Sequence, residues 1–343
     1  MVCFAYICDN MVKVSVLVAI YNAGEDLRRC LDSLCRQTLK ECEFLCIDDC
    51  STDKSAEIVR EYVEKDGRFR LFGTEVNSGQ AVARNLGLSH ARGEYVTMLD
   101  ADDWLSDDAL QKACEAIEGE KDCDCALLRL YTDGDEIWKE FELPERRTYT
   151  GQEAFRLSLN WTLHGYYLIR REIHLRYPYD TSCRVYSDDN TTRLHFLHSR
   201  LVVISDGIYY YRQHANSITH KVSVQKFLFM DAFSSMKEQI LREIAEGNVE
   251  DADAVMTEFE NLRWINFLSM MRYYFEYEKQ WTSDERKDIL GRLRVKLQTF
   301  ERNRIRLRFK VRFGYIPIKN WYAFYWQMKI FAWVYPIYRI VCK

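Results

Sequence analysis

The 343-residue sequence predicts an α/β fold built on a doubly wound sheet, and three features predict it. Strand-like and helix-like periods alternate strictly through the first third. The strands read as near-continuous apolar runs, the pattern of parallel strands buried on both faces. Three of them end in polar or acidic residues, at the place where open α/β sheets gather their ligands.

The elements follow in order. "VSVLVAIY" (14–21) is a β-branched strand, and "GEDLRRCLDSLCRQT" after it is a helix with Leu27, Cys30, Leu31, Leu34 and Cys35 on one face. A strand at 43–49, a helix at 55–66, a strand at 69–73 and a helix at 80–93 lead to the fourth strand, "YVTMLDADD" (95–103). Strand one ends in Tyr21-Asn22, strand two in Asp48-Asp49 and strand four in Asp100-Ala101-Asp102-Asp103, so all three polar clusters fall on one rim.

Three carboxylates within four positions repel one another unless a divalent cation neutralises them. Oxygen ligands of this kind suit Mg²⁺ or Mn²⁺ shared with substrate phosphates. Acids after a strand also cap helices, and this simpler reading fits Asp107 and Asp108, with Ser106 as N-cap. Asp100, Asp102 and Asp103 precede that cap and are not needed for it. "YNAGED" after strand one lacks the G-x-G-x-x-G spacing of a dinucleotide site, and no P-loop is present. Phosphate therefore falls to metal and cationic side chains.

Composition sets the wider frame. With 48% hydrophobic residues, 4 prolines, 14 glycines and no repeat or low-complexity tract, the chain predicts compact cores and has length enough for two domains. Residues 301–343 hold ten Lys or Arg against the single acid Glu301, whereas the whole chain has a net charge of −4. A basic tail this rich in aromatic residues predicts an anionic membrane surface as partner rather than nucleic acid. The 12 cysteines show no C-x2-C zinc spacing and no secretory leader precedes them, so reduced structural thiols in a cytoplasmic protein are expected.

Four segments then carry a family resemblance: "VSVLVAIYNAGEDLRRCLDSLCRQT", "LCIDDCSTDKSAEIV", "NSGQAVARNLGLSHARGEYVTMLDADDW" and "YSDDN". In this order they resemble glycosyltransferase family 2, inverting enzymes with the GT-A fold. The likeness is dense over residues 12–120 and looser over 121–220. It implies a Rossmann-like nucleotide-binding sheet with helices on both faces, followed here by a mainly helical C-terminal region.

By that resemblance Asp49 bonds the uracil edge, assisted by Asp48, and Ile20, Tyr21 and Asn22 form the other side of the base pocket. Arg84 lies near base and phosphates. Asp100 and Asp102 form the D-x-D, the first holding ribose or a metal-bound water and the second the metal, with Asp103 behind them. Asp189 is the base that deprotonates the acceptor, beside Asp188 where the family has Glu. Adjacent carboxylates raise one another's pKa, which suits a base. Arg212 and His214, in "RQHANS", lie against the diphosphate, the histidine joining the metal. Gly165 and Tyr167 stand where the family often has Trp and Lys, so substrate identity does not transfer. Trp161 and His164 are candidates to stack on or bind a sugar, or to pack in the core.

The last part changes character. "VEDADAVMTEFENLRWINFLSMMRYYFEYEKQW" reads as a packed helix, "RIRLRFKVRF" (304–313) as an amphipathic extended segment, and "WYAFYWQMKIFAWVYPIYRIV" (321–341) as an interfacial helix, or one that docks on protein. The expected divisions are an extension at 1–11, with Met11 a candidate start, a nucleotide-sugar half at 12–120 and an acceptor half at 121–220. A helical region at 221–300 and a membrane-associating tail at 301–343 complete them.

The expected function is inverting, metal-dependent transfer from a UDP-sugar to a glycan or lipid-linked acceptor in surface polysaccharide assembly. It would take place on the inner face of the cell membrane. The alternatives are a non-catalytic sugar-nucleotide-binding membrane scaffold, for which Asp189 is superfluous, and a nucleotidyltransferase, which leaves Asp189 unexplained.

Overall fold

The computed structural model describes residues 11–134, 137–184, 186, 188–213, 222–306 and 320–341. The chain divides into two compact units, Met1–Ala215 and Asn216–Lys343.

The first unit is built on β1 (Val14–Ile20), β2 (Cys42–Asp48), β3 (Phe69–Gly73) and β4 (Tyr95–Met98), which pair in parallel in the order β3-β2-β1-β4. The two-residue period of β1 divides its side chains between two cores. Val14, Val16, Val18 and Ile20 meet the apolar faces of α1 (Asp26–Cys35), α2 (Ser55–Lys65) and α4 (Ala109–Gly119). Leu17 joins Leu45, Ile47 and Val96 on the opposite face, under α3 (Gln80–His90). Gly87 of α3 allows that close approach, because a Cβ there would stand 2.5 Å from the Ile47 side chain.

Beyond β4 the sheet becomes mixed. It continues through β9 (Tyr167–Arg170), β6 (Cys125–Gly134), β10 (Leu201–Tyr211) and β5 (Trp104–Leu105). β7 (Ile137–Glu140) pairs with β6 and β8 (Thr148–Thr150) with β10. β9 is antiparallel to both neighbours, whereas β10 and β6 are parallel. Helices α5 (Gly151–Leu159), α6 (Arg171–Arg176) and α7 (Asp188–Leu197) complete this half. A capping box opens α5: Thr150 Oγ1 accepts the Glu153 N–H while the Glu153 carboxylate accepts the Thr150 N–H.

One expectation needs correcting here. Ser106 does not cap α4, which begins at Ala109 with Asp108 as N-cap. The Ser106 hydroxyl instead donates to Asp108 at 2.9 Å and accepts the Ile208 N–H at 3.2 Å, joining this turn to β10. Asp107 and Asp108 are structural, paired with Arg36 and Lys112.

The second unit contains α8 (Phe229–Ala245), α9 (Ala252–Glu276), α10 (Ser283–Gln298) and α11 (Trp321–Val341). Its core gathers Trp264, Phe267, Met271, Leu293, Phe324 and Met328. Of the expected extended segment at 304–313, residues 304–306 lie in a turn, and 307–313 are outside the described residues. Helix α11 is apolar on two sides: Phe324 and Met328 are buried, while Tyr322, Trp326, Ile330, Trp333 and Val334 form an exposed stripe at spacings of three and four. Among the described residues no helix is long and apolar enough to cross a membrane.

Candidate active site

The carboxyl ends of β1, β2 and β4 form the rim that the sequence predicts. Asn22 ties the first two together: its N–H donates to Ser51 Oγ at 3.0 Å and its side-chain carbonyl accepts the Thr52 N–H at 2.8 Å. Its left-handed φ of 49° is one that asparagine tolerates better than most residues. Ile20 is buried and its carbonyl accepts the Asp49 N–H, while Tyr21 stands exposed at the edge.

Asp49 is buried and well supplied with donors. It accepts from the Thr74 hydroxyl at 2.7 Å and from the backbone N–H groups of Ser78 and Gly79 at 2.9 and 2.7 Å. A carboxylate offers about four acceptor sites, and three of them are taken within the fold. The carboxylate thereby also anchors the loop that delivers α3.

Arg84, on α3, lies almost wholly inside the protein. One Nη pairs with Asp100 Oδ1, and the guanidinium stands 5.4 Å from the Tyr179 ring centre. Burial opposes its charge, but Asp100, Tyr179, Asp188 and Tyr209 together outweigh that and hold it above its ordinary value. Nε and the other Nη, both buried, have no hydrogen-bond partner among the described residues.

The D-x-D follows β4 directly. The Tyr209 hydroxyl accepts the Asp100 N–H at 3.1 Å and donates to Asp103 Oδ2 at 2.8 Å, and the Arg212 N–H donates to Asp103 Oδ1 at 2.8 Å. Asp103 is therefore the tie between this turn and β10. Burial raises the Asp100 and Asp103 carboxyls above their usual range, and neighbouring carboxylates add to the effect. A bound cation would relieve that repulsion, and Asp100 with Asp102 supplies the oxygen-only donor set that Mg²⁺ or Mn²⁺ accepts alongside phosphates. Among the described residues no group of three or more His, Cys, Asp or Glu side chains could hold a metal. His214 lies outside the described residues, and the Arg212 guanidinium pairs with Asp26 at the start of α1.

Asp188 and Asp189 open α7, where the helix N-terminus favours negative charge. Burial, then the charge of Asp189, pushes the Asp188 carboxyl up to about 6, with Arg84 opposing and Asp100 reinforcing the rise. Residues more than a hundred positions apart thus share one electrostatic neighbourhood. Asp189 Oδ2 accepts the Trp161 indole N–H at 3.0 Å, with Arg193 3.9 Å away.

Two placements bear on the sequence reading. His164 is buried between Phe141 and Tyr166, and burial lowers its pKa to about 3, so it packs in the core and presents nothing to a sugar. Gly165 lies against α7: a Cβ there would meet Thr192 Oγ1 at 2.8 Å, which explains why no larger residue stands at this position. The roles of Tyr209, Tyr179 and the Trp161 indole N–H were not read from the sequence.

Comparison with known proteins agrees with this fold. Residues 15–177 match the family model described as Glycosyl transferase family 2. The glycosyltransferase GlyG of Streptococcus pneumoniae is 27% identical over 304 residues, covering 84% of this chain and 98% of the relative. An uncharacterized glycosyltransferase, EpsJ of Bacillus subtilis, is 30% identical over 218 residues, covering 60% of this chain and 62% of the relative. Among solved structures, residues 1–349 of S. aureus TarS in complex with UDP-GlcNAc superpose with a TM-score of 0.64 at 21% identity, covering 85% of this chain and 82% of that one. The chain is a glycosyltransferase with the GT-A fold, and its residues 15–177 carry the match to glycosyl transferase family 2.

Proposed function

We propose that the chain transfers a sugar from a UDP-sugar to a hydroxyl group of a glycan or lipid-linked acceptor, with inversion at the anomeric carbon, in cell-surface polysaccharide synthesis. The observation that carries this reading is the grouping of Arg84, Asp100 and Asp188 in one field, with Asp189 beside it. The same fold holds UDP-GlcNAc in TarS and UDP, GalNAc and Mn²⁺ in GalNAc-T7.

The nucleotide lies along the rim, its base against Ile20, Tyr21, Asn22 and Asp49. The unpartnered nitrogens of Arg84 are the donors this reading assigns to the phosphates. Asp100 and Asp102, with His214, are the residues that would hold a divalent ion, which when bound offsets the charge of the diphosphate. Arg212 lies with them, on the diphosphate side. Asp189 takes the proton of the acceptor hydroxyl as its oxygen bonds to the anomeric carbon, and the bond from that carbon to the diphosphate breaks on the opposite side. Asp188 supports the base, and the half-exposed Trp161 ring offers a face to a sugar.

We place the protein in the cytoplasm, peripheral on the inner face of the cell membrane, with the exposed stripe of α11 and the basic tail turned to anionic lipid. The reading is tested by incubating the protein with Mn²⁺, a panel of UDP-sugars and a membrane extract, then analysing the products. Extract-stimulated release of UDP supports it. Release of pyrophosphate would mark a nucleotidyltransferase, and UDP binding without release a scaffold.

A further inference from the structure

Trp161 occupies a position suited to glycine. Helix α5 ends at Leu159, Asn160 caps it, and Trp161 follows in the left-handed region at φ 64°. Its N–H donates to the Ser158 carbonyl at 3.2 Å, and Thr162 and Leu163 turn back to the Leu157 carbonyl at 3.0 and 3.3 Å. The Asn160 side chain fixes the turn by accepting from both the N–H and the hydroxyl of Thr162. Helices that end this way usually place glycine at the left-handed residue, and a bulky side chain there is strained.

What the strained residue reaches is the base. The indole N–H donates to Asp189 Oδ2 at 3.0 Å, and no described residue donates to Oδ1. Fixing one oxygen of a carboxylate at the free end of a helix turns the other toward a single direction. A side chain entering from α5 holds a catalytic group that stands on α7.

We propose that Trp161 is a positioning residue for Asp189: its indole N–H holds Oδ2 so that Oδ1 receives the acceptor proton, and this bond is what the strained backbone maintains. The inference rests on the transferase reading above, in which Asp189 is the base. It differs from a stacking role because it depends on the N–H and not on the ring.

The test compares Trp161→Phe, Trp161→Gly, Trp161→Ala and Asp189→Asn with the wild type. Each is assayed for UDP release from UDP-GlcNAc, UDP-glucose and UDP-galactose with membrane extract as acceptor source, and each is melted. Trp161→Phe keeps a ring and loses the donor, so kcat falls about 10- to 100-fold while the donor KM is kept. Trp161→Gly melts about 2–4 °C above Trp161→Ala, because glycine alone fits the backbone freely. Wild-type kcat in Trp161→Phe, a change confined to KM, or a glycine variant no more stable than the alanine one would each overturn the proposal. No release from the wild type with any donor would refute the transferase reading itself, a result distinct from an active Trp161→Phe beside an inactive Asp189→Asn.

Discussion

At the sheet rim charged side chains lie inside the protein, whereas along α11 large apolar side chains lie in solvent. Asp49, Asp103 and Arg84 are 3%, 1% and 1% exposed; Trp326 and Trp333 are 58% and 86% exposed. Both arrangements cost free energy in a chain that only has to fold. The difference lies in how the cost is met. At the rim each buried charge has partners within the fold: Asp103 has Tyr209 and the Arg212 N–H, Asp49 has three donors, and Arg84 has Asp100. The outer stripe of α11 looks to something outside it. Local departures of this kind are where a sequence serves function at the expense of folding.

The largest effect is expected at the rim. Asp102→Asn should lower kcat by about 100-fold or more and abolish stimulation by Mn²⁺, and chelation of the wild type by EDTA should do the same reversibly. An Asp102→Asn variant that kept full Mn²⁺-stimulated turnover would separate the D-x-D from the proposed chemistry.

The next effect is set by pH. Since Asp188 is pushed up to about 6, transfer that needs it ionised should fall as pH drops through about 6, approaching tenfold per unit below it, and Asp188→Asn should remove or displace that limb. Stability moves the other way. Between about pH 4 and 6 the native chain retains a proton at Asp188 that the unfolded chain has lost, so this group's contribution to stability falls as pH rises through that window. Urea melts of the wild type and Asp188→Asn across it should diverge accordingly; parallel melts would remove Asp188 from the account.

The smallest effect concerns the stripe. Replacing Trp326 and Trp333 together by Ala in the full chain should weaken sedimentation with phosphatidylglycerol-containing vesicles by about tenfold, with less change on neutral vesicles. Turnover of a water-soluble acceptor should be unchanged. Equal binding by the wild type and the double variant would leave the stripe to a protein partner.

The comparison also shows what the sequence could and could not disclose. β3 is legible to the residue, and β1, β2, α1 and α2 nearly so, because parallel strands buried on both faces and one-sided helices have strong periods. The rim follows from where those strands end. The antiparallel half is harder: β9 pairs with β4 some seventy residues earlier, β5 is two residues long, and neither leaves a periodic trace. His164 reads equally as a sugar-binding or a core residue and is a packed one, since a lone side chain has no period to reveal which way it faces. Trp161 was legible as a candidate but not its left-handed backbone, because the residue that usually announces that conformation is glycine.

The most direct test of the central claim is to measure extract-stimulated UDP release and, separately, UDP binding by calorimetry in the wild type and Asp189→Asn. If Asp189 is the base of a site organised by Arg84, Asp100 and Asp188, release falls by about 100-fold or more while UDP affinity is unchanged. Undiminished release in Asp189→Asn would contradict the assignment and require the acceptor proton to leave by another group.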